Sequence, residues 1–542
     1  MKMLIFLTGK PRPSGRGSFT HQDKSGWGRA IGCGLKGKGG FRGMKREQWK
    51  SQSGFLLAAV GSAIGLGNIW RFSYMAYDNG GGAFLIPYLV ALFTAGIPLL
   101  ILEFGVGHER IGSAPLAFAK IKKNWEWLGW WAVTFVMFGV VLYYIVVIAW
   151  CLNFFILSFN LGWGNDPNSF FFKDFLSVSN GPSEIGQVRA PIFVALVIVW
   201  FLNWLICYRG VRRGIELANK IFMPLLFLLT SVLVFWSLTL DGAMEGIRAY
   251  LTPDFSKLSD PKVWIDAYSQ IFFTLSLGFG IMIAYASYLP EKSNISRNAI
   301  LTGLINSGYS LFAGVAVFAV LGFMATSSGE PLSEVVSQSI GLAFVAYPKA
   351  VSLIPGGKLF GAIFFLCLVV AGLSSSISII EAFTSAMVDK FGLRRKPFIT
   401  LVSILGLLGS TIFATQAGLL WLDIVDHFLT HYGLVAVGIL ECVLVGWLFG
   451  SKVLRNHINR ISSIKLGIWW DILIKYFIPF VLGMILVGDL WQELSQPYGG
   501  YSWSSLILIG WNWVVLTLIV GFVIASRSWK TEHHKACGRS QG

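Results

Sequence analysis

Charge is scarce in this chain. Only 13% of its 542 residues are Asp, Glu, Lys or Arg, while 55% are hydrophobic. That balance excludes an ordinary water-soluble domain and points to a polytopic membrane protein. Cysteine is scarce too. The six are Cys33, Cys151, Cys207, Cys367, Cys442 and Cys537, four of them in apolar segments and two in the terminal regions. No pair falls in an outside loop and none has metal-ligand spacing, so they read as packing residues. A phosphate-binding glycine loop, a metal cluster and a nucleophile–base arrangement are all missing, which makes an enzyme the least supported class. His427 and His431 are one helical turn apart, but they border an outside loop with no carboxylate triad near them. No cofactor is implied.

The formal net charge of +16 is not a nucleic-acid signature. Residues 1–43 carry nine Lys and Arg against Asp23 alone, which is +8, half of the total. This Gly-rich, aperiodic tail is expected to be disordered. Its apolar start, Met1–Thr8, is too short for a signal peptide. Met44 offers an alternative start, which would make the tail an extension. The 22 Trp suit the aromatic belts of a bilayer protein.

Apolar segments long enough to span recur about twelve times, near 51–77, 83–107, 127–160, 191–208, 215–236, 264–289, 298–326, 358–388, 398–414, 419–447, 470–494 and 503–526. With the N-terminus inside, the inner loops hold eighteen Lys and Arg and the outer loops seven. That bias places both termini in the cytoplasm. Residues 327–357, with Pro331, Pro348 and Pro355, read as a long outer loop with short helices, a candidate lid. The expected organisation is a tail at 1–43, a first repeat at 44–236, an outside loop at 237–263, a second repeat at 264–447, two appended segments at 448–530 and a cytoplasmic tail at 531–542.

Two segments are poor continuous helices. The first contains Gly61-Ser62-Ala63-Ile64-Gly65-Leu66-Gly67-Asn68-Ile69-Trp70-Arg71. Gly costs about 1 kcal/mol in a helix interior, and an Arg at that depth is expensive. Irregular backbone survives there only where it is buried in protein or lines a cavity. The second break is Ser276-Leu277-Gly278-Phe279-Gly280, in the sixth segment. Broken helices at matching places in two halves point to the binding site of a secondary transporter. Segments 1–5 and 6–10 each open on a break, and an odd number per half makes the halves inverted. The fold class expected is therefore an all-α polytopic membrane protein, with broken helices 1 and 6 and helices 11 and 12 appended.

The first break, together with Phe72 and Asn79-Gly80-Gly81-Gly82-Ala83-Phe84-Leu85-Ile86-Pro87-Tyr88, resembles the signature of the neurotransmitter:sodium symporters. Gln270-Ile271-Phe272-Phe273-Thr274-Leu275-Ser276-Leu277-Gly278-Phe279-Gly280 and Ala371-Gly372-Leu373-Ser374-Ser375-Ser376 match two further motifs of that family. The resemblance runs from about Arg46 to Lys530. The bacterial leucine transporter of this family has such broken helices at a midplane site. The outer loops are short and lack both a cysteine pair and an Asn-x-Ser/Thr acceptor; the triplet Asn294-Ile295-Ser296 falls inside. The chain therefore looks like a prokaryotic, multi-pass protein of the plasma (inner) membrane.

The resemblance implies sites that suit the chemistry of the ions. Sodium is a hard cation, and broken helices offer it oxygen ligands. One sodium would use Ala63, Asn68, Thr274 and Asn306 with the substrate carboxylate. The other would use Gly61, Ile64, Ala371, Ser374 and Ser375. Taken singly, these Asn, Thr and Ser residues are interhelical hydrogen bonders, common in membrane bundles. The substrate pocket would be lined by Ser62, Ala63, Gly65, Leu66, Gly67, Val140, Tyr144, Phe273, Thr274, Ser276, Phe279, Ser375 and Ile379. Amides at Leu66–Gly67 would take a carboxylate, with Tyr144 as a further donor. Monoamine carriers of the family hold an Asp where this chain has Gly65, so the substrate should bring its own carboxylate. The apolar walls favour a neutral aliphatic or aromatic amino acid.

Tyr88, Gln270, Thr274, Asn306 and Ser310 occupy the positions of the chloride site in chloride-dependent members. Many bacterial members carry a carboxylate near the place of Ser310, and two sodium ions need a compensating anion in low dielectric. Arg71 and Asp426 would form the outer gate, and Arg46 and Asp389 the inner one, with Trp49, Ser287 and Tyr288 nearby. Glu103 and Glu441 are two more buried carboxylates, which either share a proton or bond the broken helices. The resulting expectation is sodium-coupled, chloride-assisted import of a neutral hydrophobic amino acid by alternating access, with the small-molecule substrate and the lipid bilayer as partners. A non-transporting amino-acid sensor on the same fold is the alternative.

Overall fold

In lipid, helix is the simplest way for a chain this apolar to satisfy its own backbone. The computed structural model describes residues 47–332 and 339–530. The expectations for the N-terminal tail, for Arg46, for Cys33 and Cys537, for the tail at 531–542 and for part of the lid loop lie outside the described residues. Among the described residues, the only β-pairing is two isolated bridges, Gly81 to Pro253 and Val188 to Thr415.

The first span is broken. α1 (Gln52–Ala63) and α2 (Leu66–Asp78) meet at 71°. Ser51 Oγ caps α1 by accepting the Gly54 N–H at 3.0 Å. Ile64 and Gly65 between the two helices are extended. The chain then runs through α3 (Gly82–Arg110), α4 (Lys123–Ser158), α5 (Ala190–Tyr208) and α6 (Val211–Ser237).

The sixth span is broken as well. α7 (Pro261–Thr274) starts on Asp260, whose carboxylate accepts the Lys262 N–H at 2.9 Å, and α8 (Ile281–Ala286) follows the break. Ser276, Gly278 and Gly280 in the break have φ of 53°, 74° and 67°. The glycines adopt that backbone without strain. Ser276 pays roughly 1–2 kcal/mol for it, and its hydroxyl is held by donating to Ser62 O at 3.1 Å.

Six further spans complete the set: α9 (Ile295–Ser328), α10 (Gly357–Phe391), α11 (Arg395–Ala414), α12 (Gly418–Ile461), α13 (Ile468–Gly500) and α14 (Trp503–Ser526). Among the described residues, ten continuous helices and two broken pairs thus stand where twelve segments are expected. The tenth differs. Expected to end near 447, it continues at Gly450 into the amphipathic stretch Ser451–Ile461. Lys452, Arg455 and Arg460 make that turn-by-turn charge pattern look like a loop in the sequence. Of the expected lid loop, the described part contains the apolar helix Leu342–Leu353.

α4 and α10 form the interior, with 83% and 89% of their apolar windows buried, against 22% and 28% for α13 and α14. The last two helices therefore form the lipid-facing flank. Close packing of the interior depends on small residues. A Cβ on Gly372 of α10 would lie 2.5 Å from Ile148 Cγ1 of α4. Cys151, Cys207, Cys367 and Cys442 are buried and free, as packing residues are.

Candidate functional site

The two breaks, α4 and α10 line a common cavity. All thirteen residues expected around the substrate line it, and Asn68, Ile281 and Ser378 join them. No Asp, Glu, Lys or Arg is among the lining residues. Ser378 was missed in the sequence, although it lies one helical turn beyond Ser374 and Ser375. Its hydroxyl donates to Ser375 O at 2.6 Å and meets Ser62 Oγ at 2.7 Å. Across the cavity, the Leu66 N–H donates to Tyr144 Oη at 3.3 Å. Space at Gly65 is tight: a Cβ there would come 2.8 Å from Tyr144 Oη and 3.1 Å from Ser375 Oγ.

On one side of the cavity, oxygen atoms converge at Ser375. Its hydroxyl lies 3.2 Å from Ile64 O, 3.3 Å from Ser62 O and 3.4 Å from Ala371 O. Ser374 Oγ is 2.8 Å from the same Ala371 O. Four of the five residues expected at the second sodium thus meet in one place. The fifth, Gly61, packs against α6, where a Cβ would strike Asn219 Oδ1 at 2.2 Å.

On the other side, Asn68 organises a polar network. Its Oδ1 accepts the Gly65 N–H at 2.8 Å, and its Nδ2 donates to Asn306 Oδ1 and to Ser310 Oγ, each at 2.9 Å. Asn306 Nδ2 donates to Thr274 Oγ1 at 3.3 Å. Asn68, Thr274 and Asn306 of the expected first sodium site are therefore one connected set, with Ala63 beside them on the cavity wall. Thr274, Asn306 and Ser310 of the expected chloride residues belong to this set. Tyr88 donates to Ser307 Oγ at 3.2 Å. Gln270 is fully buried, and neither its amide nitrogen nor its amide oxygen has a hydrogen-bond partner.

The expected outer gate is not a direct ion pair. Asp426 Oδ1 instead accepts the Tyr143 hydroxyl at 2.5 Å, and the Arg71 guanidinium lies over the Phe273 ring, 4.8 Å from its centre. The physical reason is reach. Phe273 offers Arg71 a cation–π partner, and Tyr143, next to Tyr144 on α4, takes the carboxylate. A second, smaller cavity adjoins Arg71 and Phe273, with His431 and Asp489 in its wall. His427 and His431 do have carboxylate neighbours, contrary to the sequence reading. His427 Nε2 is 2.9 Å from Glu493 Oε2 and His431 Nδ1 is 2.8 Å from Asp489 Oδ2. Both acids come from α13, far away in sequence.

At the opposite end, Trp49 is buried. Its indole donates to Tyr285 O at 2.8 Å and its backbone N–H to Tyr288 O at 3.2 Å. Asp389 Oδ2 accepts the Ser113 N–H at 2.9 Å. A buried ion pair, absent from the sequence reading, reinforces this end. Glu381 accepts from Tyr288 Oη at 2.8 Å and from Arg395 Nη1 at 2.9 Å, and its second oxygen takes Arg395 Nη2. Arg395 was read only as one of the loop charges. Glu381 carried no signal beyond being an acid in an apolar segment.

Two unwound helices around a cavity without charged side chains, inside a bundle of membrane-spanning helices, define a secondary transporter of the membrane. The sequence comparisons agree. The profile of the sodium:neurotransmitter symporter family matches residues 46–169 and 164–531, and the chain belongs to that family. An uncharacterised sodium-dependent transporter of Methanocaldococcus jannaschii is 51% identical over 482 residues, 89% of this chain and 98% of the relative. The sodium- and chloride-dependent GABA transporter 2 of Rattus norvegicus is 34% identical over 463 residues, 78% of this chain and 76% of the relative. The sodium- and chloride-dependent taurine transporter of Canis lupus familiaris is 31% identical over 543 residues, 90% and 86% of the two chains. The chain is thus a multi-pass, sodium-dependent transporter, not an enzyme.

Proposed function

We propose that this transporter imports a neutral, hydrophobic amino acid, aliphatic or aromatic, together with sodium and with the help of chloride. The observation that carries the reading is the cavity itself. Its wall holds no side-chain charge, so a substrate carboxylate must be met by backbone amides, by Tyr144 and by sodium. Val140, Phe273, Phe279 and Ile379 supply an apolar surface for the side chain. Sodium enters at Ala63, Asn68, Thr274 and Asn306, and at Gly61, Ile64, Ala371, Ser374 and Ser375. The buried, unpartnered amide of Gln270, one helical turn before Thr274, supports an anion site, because position 310 is Ser and brings no charge of its own.

In this reading both termini face the cytoplasm of a prokaryote and Arg71 faces outward. Asp426, Arg71, Phe273 and Tyr143 gate the outer path, and Trp49, Tyr288, Glu381, Arg395 and Asp389 gate the inner one. Opening one end while the other holds gives alternating access. The GABA and taurine carriers among the relatives act on small zwitterions without an α-amino acid head group, so they define the competing substrate class.

The deciding experiment is uptake into proteoliposomes of the twenty labelled amino acids, GABA and taurine, with sodium or potassium outside. Sodium-specific accumulation of aliphatic or aromatic amino acids is expected. Accumulation of GABA or taurine alone overturns the substrate reading. Saturable binding without accumulation, in tight and correctly oriented vesicles, establishes the sensor instead.

A further inference from the structure

A groove on the membrane-facing surface belongs to none of these sites. It runs between α5 and α11, and its walls include Trp200, Phe201, Trp204, Thr400, Ser403 and Ile404. Phe201 and Ile404 are 53% and 52% exposed, so the groove opens sideways to the bilayer. Beneath it the two helices are in close contact, because a Cβ on Gly406 would strike the Trp200 ring. The indoles and hydroxyls of the walls are engaged within the protein, except one. Trp200 Nε1 donates to Ser410 Oγ at 3.1 Å, and Trp204 Nε1 donates to Thr400 Oγ1 at 2.9 Å. The Thr400 hydroxyl in turn donates to Lys396 O at 3.2 Å. Ser403 is only 6% exposed, and its hydroxyl has no partner. At hydrocarbon depth there is no water to supply one.

One end of the groove is basic. There α5 ends on Arg209 and α11 starts on Arg394, and both of these residues and Lys396 are exposed. Lys396 Nζ stands over the Tyr208 ring, 5.0 Å from its centre, and so bridges the two helices. Arg395 is taken by Glu381, whereas among the described residues no acid pairs with Arg209, Arg394 or Lys396. The first turn of α11 adds backbone N–H groups without helical acceptors and the positive end of its dipole. Ser403 lies two helical turns beyond Lys396, roughly 10 Å along the axis.

We propose that this groove binds one anionic phospholipid. Its phosphate meets Arg394, Lys396, Arg209 and the start of α11, an oxygen of its glycerol region accepts from Ser403, and a hydrocarbon chain lies against Trp200, Phe201 and Trp204. The basic end asks for an anion, and an anionic bilayer surface attracts such a cluster. The unpartnered hydroxyl, two turns deeper and beside apolar walls, is reached by a lipid and not by a free phosphate ion. Because Arg395 in the same turn holds Glu381 of α10, a lipid seated here braces α5, α10 and α11 together and stabilises the fold. The inference needs no assumption about the transported substrate.

The test uses the full-length protein in detergent micelles doped with dioleoyl phosphatidylglycerol or, in parallel, dioleoyl phosphatidylcholine. Native mass spectrometry reads the retained lipid, and thermal melting reads its effect. The expected result is about one phosphatidylglycerol retained per chain and a saturable rise in melting temperature, with neither seen for phosphatidylcholine. Arg394→Gln and Lys396→Gln should each weaken binding about fivefold, the effect of one basic residue at an anionic surface. Ser403→Ala should weaken it about 2- to 12-fold, as for one hydrogen bond. A sodium-dependent thermal shift kept in all three shows that the fold is intact. Equal retention of phosphatidylcholine overturns the proposal, as does unchanged phosphatidylglycerol binding in the Arg394→Gln/Lys396→Gln double variant. A full thermal shift with glycerophosphoglycerol, the headgroup without its chains, or with inorganic phosphate also overturns it, because the groove then plays no part. So does a lipid-independent dimer that Ile404→Trp dissociates, since a second copy then covers the groove. The comparison of the two lipids on wild-type protein decides the matter even where a variant fails to fold.

Discussion

Replacing Gln270 by Met should weaken chloride binding without weakening the fold. The two side chains have similar length and shape, so the packing is kept and only the amide is lost. Gln270 is fully buried, and both of its amide atoms lack partners. An unsatisfied buried polar group costs about 1–3 kcal/mol, whereas a hydrogen bond to a charged partner contributes about 1.5–3 kcal/mol. With chloride present, the Met variant loses that bond, and the half-saturation concentration for chloride should rise about 10- to 150-fold. With chloride replaced by gluconate, the variant has nothing to lose, and its melting temperature should equal or exceed that of the wild type. The two readouts are chloride titration of sodium-driven uptake and thermal melting in each salt. A chloride response unchanged in the variant refutes the site. A lower melting temperature in gluconate refutes the reasoning in another way, because it means the amide has a partner in the protein.

Three other substitutions probe the remaining parts. Ser375→Ala removes the hydroxyl at the meeting point of Ile64 O, Ser62 O and Ala371 O; sodium half-saturation should rise about tenfold or more, as for loss of one hydrogen-bond-like contact to an ion. An unchanged sodium titration would place the second sodium elsewhere. Gly65→Ala puts a Cβ 2.8 Å from Tyr144 Oη and 3.1 Å from Ser375 Oγ. Overpacking of this kind costs about 1–3 kcal/mol, so substrate affinity in sodium should drop about 5- to 150-fold, and unaltered affinity would show that the break yields freely. Asp426→Ala releases Tyr143 and should reduce uptake far more than sodium-dependent binding. Equal loss of both would indicate a folding defect.

The helices and their breaks were legible in the sequence because the bilayer imposes simple rules. Apolar length marks a span, and Gly61–Arg71 and Ser276–Gly280 violate the helix rule in ways only a cavity tolerates. The cavity lining was legible because it lies on those breaks and on recognisable motifs. What escaped notice was pairing between distant segments. Asp426 finds Tyr143 rather than Arg71, Glu381 finds Arg395, and the His427–His431 turn finds Glu493 and Asp489. Each partner is an ordinary residue in its own segment, and only the packing of α4, α10, α11, α12 and α13 selects it. The extension of α12 past Gly450 was hidden for the opposite reason. An amphipathic stretch lying beyond the apolar run carries the charges of a loop.

Coupling between ion and substrate follows from one side chain. Asn68 spans the region, accepting from Gly65 N–H at the first break and donating to Asn306 and Ser310 on α9. Asn306 continues the line to Thr274 at the second break. In the proposed reading, an ion bound among these oxygens would gain its full set of contacts only when both breaks hold the geometry that also presents the Leu66–Gly67 amides to a carboxylate. Sodium and substrate would then stabilise the same arrangement, and each would raise the affinity for the other by an equal factor. A pocket built on continuous helices would lack this property, because its carbonyls and amides would already be spent on the helix. The broken backbone, costly in lipid, makes one set of polar groups answer to two ligands at once.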